Sequence, residues 1–190
     1  KDFNIENVFA TWWIVYIGIT MAAITAPAYG LQKYGFIFFG IGFILMIPTL
    51  ILVSYRYLKF TAIDDKNKPF ICIYAAILSI IIVGYVNTLP IGGNFLTAIY
   101  IGACIFYIFA LFQAIKLIVI ERLKFMPSFS AFTFPFVISA LATKAVIKIV
   151  GSNTALSLIL TFETLIAVVL VFYVLSEYMK YLKIDKESRN

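Results

Sequence analysis

Histidine is missing from all 190 residues. Serine–histidine and cysteine–histidine catalysis, haem ligation and the usual zinc sites all need that side chain, so they are excluded. A six-span protease of the rhomboid type fails for the same reason. No Walker A sequence or other glycine-rich phosphate loop is present, and IGGN at 91–94 reads as a turn between helices. The Asn-Pro-Ala pair of an aquaporin and the arginine ladder of a voltage sensor are also missing. The two cysteines, Cys72 and Cys104, fall inside apolar runs and read as small buried hydrophobes rather than a disulfide. No enzyme, metal site or cofactor is expected.

Apolar surface is what the chain has in excess. Hydrophobic residues make up 63% and charged residues 13%, with a mean hydropathy of +1.02. A soluble domain of this length would not tolerate that balance. Six apolar runs are each about 20 residues long, the length that crosses a hydrocarbon core as a helix. They lie at 8–28, 34–56, 70–88, 95–119, 130–150 and 154–179. Backbone groups find no water in lipid, so the expected fold is all-α: six transmembrane helices in one membrane domain, 1–181, and a charged tail, 182–190. The opening KDFNIENVFATWW lacks a signal-peptide cleavage site and begins just before a span, so the chain reads as part of something longer.

Charge sets the orientation. Twelve of the fifteen basic residues fall on the side shared by both termini: Lys1, then Arg56, Lys59, Lys66 and Lys68, then Lys116, Arg122 and Lys124, then Lys180, Lys183, Lys186 and Arg189. Only Lys33, Lys144 and Lys148 remain. Positive charge collects on the cytoplasmic face, so both termini are expected there, with the protein in the cell membrane. Trp12, Trp13, Tyr178 and Tyr181 read as interface anchors on that side. The basic residues are scattered over short loops, which is a topology signal and not a nucleic-acid footprint.

The spans recur at steps of about sixty residues, as three copies of one helical hairpin. Odd spans carry small and hydroxyl residues at helical spacing: Thr11, Val15, Gly18, Ala22 and Thr25 in the first, and Cys72, Ala76, Ser79 and Val83 in the third. The fifth has Ser130, Thr133, Ser139 and Ala140, with Pro135 among them. Even spans are bulky all round, as lipid contact requires. Odd helices are therefore expected inside, around a shared axis, and even helices outside. Helix–helix packing alone is the competing reason for such stripes.

The fifth span opens on MPSFSAFTFPFVISALA, 126–142. At about 100° per residue, Phe125, Phe129, Phe132 and Phe136 share one face within roughly 60°, and Phe134 points the opposite way. A proline inside a span frees a carbonyl and kinks the helix, which at Pro135 would aim Phe134 toward the axis; a ring facing lipid or the core is the competing reading.

PSFSAFTFPFVISALAT (127–143), with FATWWIVYIGITMAAITAP (9–27) and LTFETLIAVVLVFYV (160–174), resembles the tellurite-resistance/dicarboxylate transporter family. That family includes malic acid permeases, sulfite efflux pumps and the slow anion channels of plants. The resemblance implies a fold of ten spans in five hairpins around a central pore, often as a homotrimer, of which this chain matches the last six. It implies that inner helices line the pore and that Phe134, the ring of Thr-Phe-Pro, closes it. It also implies that three hairpins alone do not conduct. In one respect the sequence departs: its third span has no internal proline, where kinked inner helices are implied.

Charges inside the spans need partners, since each costs roughly 2.5–3.5 kcal/mol at mid-membrane. Helical rise puts Glu163 roughly 14 Å and Lys144 roughly 9 Å below the same surface, depths that allow an ion pair. Lys148 is placed to snorkel or to offer positive charge at the outer mouth. The expected function is the carboxy-terminal part of a transporter or channel for small anions, either C4-dicarboxylates such as malate or inorganic anions such as sulfite, tellurite or chloride. The alternative is a non-conducting membrane subunit whose stripes serve only packing.

Overall fold

The computed structural model describes residues 5–60 and 62–188, with side chains as far as Lys183. Every regular element among them is helical. The helices are α1 (Trp12–Ile17), α2 (Thr20–Thr25), α3 (Gln32–Lys59), α4 (Tyr74–Thr88), α5 (Asn94–Ile115), α6 (Phe134–Val150) and α7 (Thr154–Ser188). Two 3₁₀ stretches, Asp65–Ile73 and Pro127–Phe132, lead directly into α4 and α6. Among the described residues, five segments are long and apolar enough to span a membrane: 32–59, 65–88, 94–120, 127–150 and 154–183.

The first expected span is not one helix. At Gly18 the backbone pattern changes, because Gly18 N–H reaches Ile14 O while Met21 and Ala22 bond only three residues back. A Cβ at Gly18 would sit 2.3 Å from Ile14 O, so a side chain does not fit this bend. The result is two short helices followed by a 3₁₀ turn at Ala26–Tyr29. Helix α7 runs unbroken from the sixth span to Ser188. Lys1 and Arg189 of the topology argument lie outside the described residues.

The hairpin repeat is visible as geometry. Even segments α3, α5 and α7 are continuous helices starting at 32, 94 and 154, while α4 and α6 start sixty residues apart, at 74 and 134. Burial separates the two kinds. In the most apolar stretch of each, 78% of 65–88 and 44% of 127–150 are buried, against 28% in α3, 28% in α5 and 17% in α7. The even helices are the outer ones.

Helix α4 is the hub, packed by α2, α3, α5 and α6. Small residues permit this. Thr20 of α2 is wholly buried, and a Cβ at Gly42 of α3 would sit 2.1 Å from its Oγ1. A Cβ at Gly84 of α4 would sit 2.5 Å from its Cγ2. Two glycines on different helices thus close around one threonine.

One end of the bundle gathers the chain's basic loops. Arg56 is buried there and donates to Glu6 O, at 3.1 and 3.3 Å, and to Phe60 O at 3.2 Å. Its guanidinium stands 4.8 Å from the Phe9 ring centre. Lys68 and Lys116 meet Glu121 at 3.1 and 3.5 Å, joining the loops before α4 and after α5. The hydrogen bond from Lys68 holds the Glu121 carboxyl below the usual carboxylate range, so it is ionised at neutral pH. Tyr178 donates to Pro127 O at 2.6 Å, and its ring packs 4.8 Å from Phe125. Trp13 is not an interface anchor. It is buried in the core with its ring 4.3 Å from Tyr74.

Candidate functional site: a groove between the odd segments

The three odd segments are all broken along their length. The first is broken at Gly18, the third where 3₁₀ turns give way to α4 at Tyr74, and the fifth at Thr133. Pro135 does not kink a continuous helix, as the sequence suggested. It sits in the first turn of α6, where its missing N–H removes no bond. The break belongs to Thr133, with φ −105° and ψ −76°, whose Oγ1 donates to Ser130 O at 2.7 Å. Phe134 follows this break directly, as the first residue of α6.

Those rings pack as a stripe although 127–132 is 3₁₀ and not α. Phe129, Phe132 and Phe136 are buried. Phe125–Phe129 and Phe129–Phe132 centroids are 5.4 and 5.2 Å apart, and Phe136 lies 5.5 Å from Tyr107. Phe134 alone is half exposed, at 48%.

It borders a groove of about 430 Å³. Three stretches line it: Thr11 to Met21, Phe70 to Ile80, and Ser130 to Pro135. Among the described residues, none of α3, α5 or α7 takes part, and no acid or base does. The walls are mostly apolar, with the hydroxyl residues Thr11, Ser130 and Thr133 among them.

Outer helices that shield inner ones, and inner segments that share a groove, are features of one chain-wide architecture. The family model described as voltage-dependent anion channel, SLAC1, matches residues 1–178. The chain belongs to that family. Comparisons with curated proteins and with solved structures give no match. The voltage-dependent anion channel family comprises channels and transporters, so this is an integral membrane protein of anion transport.

In this anion-channel chain the groove unites Thr11, Gly18, Ala76, Ser130, Thr133, Phe134 and Pro135. It leaves out Ala22, Thr25 and Ser79. Thr25 turns its hydroxyl back to Met21 O at 3.1 Å. Ser79 is buried between α4 and α6, where it donates to Ala75 O at 2.7 Å and lies 3.2 Å from Ser139 Oγ. Those two serines occupy equivalent repeat positions, sixty residues apart. At Ser79 the packing explanation of the stripe holds.

Lys144 and Glu163 do not pair. Among the described residues no ion pair joins them, and Glu163 is buried while Lys144 is exposed. Thr143, one residue earlier, faces α7 instead, and its Oγ1 donates to Glu163 Oε2 at 2.6 Å. A helix turns about 100° per residue, which carries Lys144 onto the uncovered stripe with Phe134, Val137, Leu141 and Lys148. Tyr100 OH stands 3.2 Å from Thr143 Oγ1. The single threonine proton goes to the carboxylate, so Tyr100 donates to Thr143. This relay joins α5, α6 and α7. Depth alone suggested the lysine, because depth carries no information on which face a residue occupies.

Glu163→Ala strands the Thr143 hydroxyl and is expected to destabilise the protein by about 1–3 kcal/mol. Glu163→Gln keeps an acceptor and should cost much less. Thermal unfolding in detergent measures both, and an unaffected alanine variant would remove the relay from the account of hairpin stability.

Proposed function

We infer that this chain forms part of the permeation path of a channel or transporter for small anions, gated by Phe134. The carrying observation is the groove lined by odd segments alone, with one half-exposed phenylalanine at its edge. A hydrophobic ring across a narrow passage forbids the hydration an ion needs, so the ring is the closed gate. Hydroxyl side chains beside it offer donors to a passing anion without trapping it. Helix α6 begins at Phe134, which sets the positive end of its dipole next to the passage. Lys144 and Lys148, on the same exposed stripe, add positive potential toward the far end.

The permeants are C4-dicarboxylates such as malate, or inorganic anions such as sulfite, tellurite and chloride. In the family's arrangement two further hairpins complete the pore and three copies assemble as a trimer. Both termini are placed in the cytoplasm and the protein in the cell membrane, on the bias of basic residues described above. The full-length protein in liposomes tests this reading through efflux of malate, sulfite and chloride, with potassium as the comparison. Anion efflux well above that of empty vesicles, with little potassium leak, is expected. Equal potassium leak, or no anion efflux, would favour the non-conducting subunit.

A further inference from the structure

Away from the groove, a trough of about 640 Å³ runs between α3 and α5 with Tyr74 at its floor. The upper walls are apolar and face outward. Ile105 is 60% exposed, and the rings of Phe106 and Phe109 stand 5.5 and 5.4 Å from Tyr74; Leu58, next to Lys59 in the last turn of α3, stands nearer the polar end. At its other end the lining turns polar, with Gln113, Lys68, Lys116 and Glu121. From Ile105 to Lys116 helical rise gives about 16 Å. One leaflet of hydrocarbon is about 15 Å deep, half of the roughly 30 Å core. The trough is therefore one leaflet long, greasy along its length and charged at the membrane surface.

Charge narrows the occupant. Two lysines and one glutamate line the mouth, and Asp65 just outside it pairs with Lys68, so the charges balance and Lys116 is the least engaged cation. Glu121 already stands between Lys68 and Lys116, and Asp65 is bound to Lys68 at 2.8 Å. A choline headgroup would thus find no spare acid. Lys116, with 47% of its side chain exposed, has room for an anion. The Gln113 side-chain amide, one turn away, takes part in no hydrogen bond among the described residues and can donate to the same group. We propose that this trough binds one glycerophospholipid with an anionic headgroup, from the leaflet at the lysine-rich face. Lys116 and Gln113 hold its phosphate, and an acyl chain lies along Phe106, Phe109 and Ile105.

Native mass spectrometry of the delipidated full-length protein tests this, with dioleoyl phosphatidylglycerol and dioleoyl phosphatidylcholine as probes. One phosphatidylglycerol is expected to be retained in preference to phosphatidylcholine. Lys116→Gln should lower that preference about fivefold, the effect of one lysine near an anionic lipid surface. Lys124→Gln, on the same face outside the trough, should leave it unchanged. Ile105→Trp fills the trough and should weaken both lipids while the protein stays folded. Equal retention of the two lipids overturns the proposal. So does an equal effect of the two lysine variants, or a lipid-free oligomer that Ile105→Trp dissociates.

Discussion

Phe134→Ala is expected to raise anion flux by on the order of tenfold or more, which corresponds to about 1.4 kcal/mol taken off the barrier. Of the five clustered phenylalanines, this ring is the one left half exposed, beside the groove. It is held there by backbone and not by packing. The chain breaks at Thr133, and Pro135 fixes the first turn of α6. Removing the benzyl group therefore widens the passage without disturbing the core, and the melting temperature should stay close to that of the parent. Phe132→Ala is the matched control. That ring is completely buried, so its loss should cost about 3–5 kcal/mol through the cavity it leaves, with no opening of the groove. Flux into liposomes at equal protein density, together with thermal unfolding, separates the two. Unchanged flux for Phe134→Ala with normal incorporation would end the gate assignment.

Gly42→Ala is expected to destabilise the fold by about 1–3 kcal/mol, the range for overpacking a close-packed interior. The added methyl carbon would stand 2.1 Å from Thr20 Oγ1, inside any allowed contact. Thr20 cannot swing aside, because it is β-branched and wholly buried, with Gly84 against its methyl group. Its Oγ1 also has no hydrogen-bond partner among the described residues, so the hydroxyl contributes little that truncation would lose. Thr20→Ala should thus be mild alone and should restore most of the stability of Gly42→Ala. The double-mutant cycle isolates that coupling. Independent, additive effects would show that α2 and α3 do not meet where the structure places them.

Single residues show where sequence reading succeeds and stops. Phe134 was separable from its neighbours because a fixed rotation per residue put it opposite four other rings, and the fold keeps that separation through a 3₁₀ segment. Composition alone identified the even segments as lipid-facing. Ser79 and Ala76 read alike in sequence, yet one is sealed between α4 and α6 while the other reaches the groove. Trp13 read as an interface anchor and is a core residue under Tyr74. Arg56 read as a topology charge and is buried, clasping the backbone of the N-terminal stretch. Each of these depends on what stands opposite a side chain, and the chain's own pattern does not encode its neighbours.

By itself the sequence determined that this protein lives in a bilayer as helices and that its hairpins repeat about every sixty residues. Those conclusions follow from hydropathy, spacing and composition, which are local or additive properties. Only the tertiary structure decided that Glu163 bonds Thr143 instead of Lys144, that the first segment bends at Gly18, and which hydroxyls face the groove. The reason is rotational: one residue along a helix is about 100° of turn. A pairing inferred from depth is therefore settled only when the facing helix is in place.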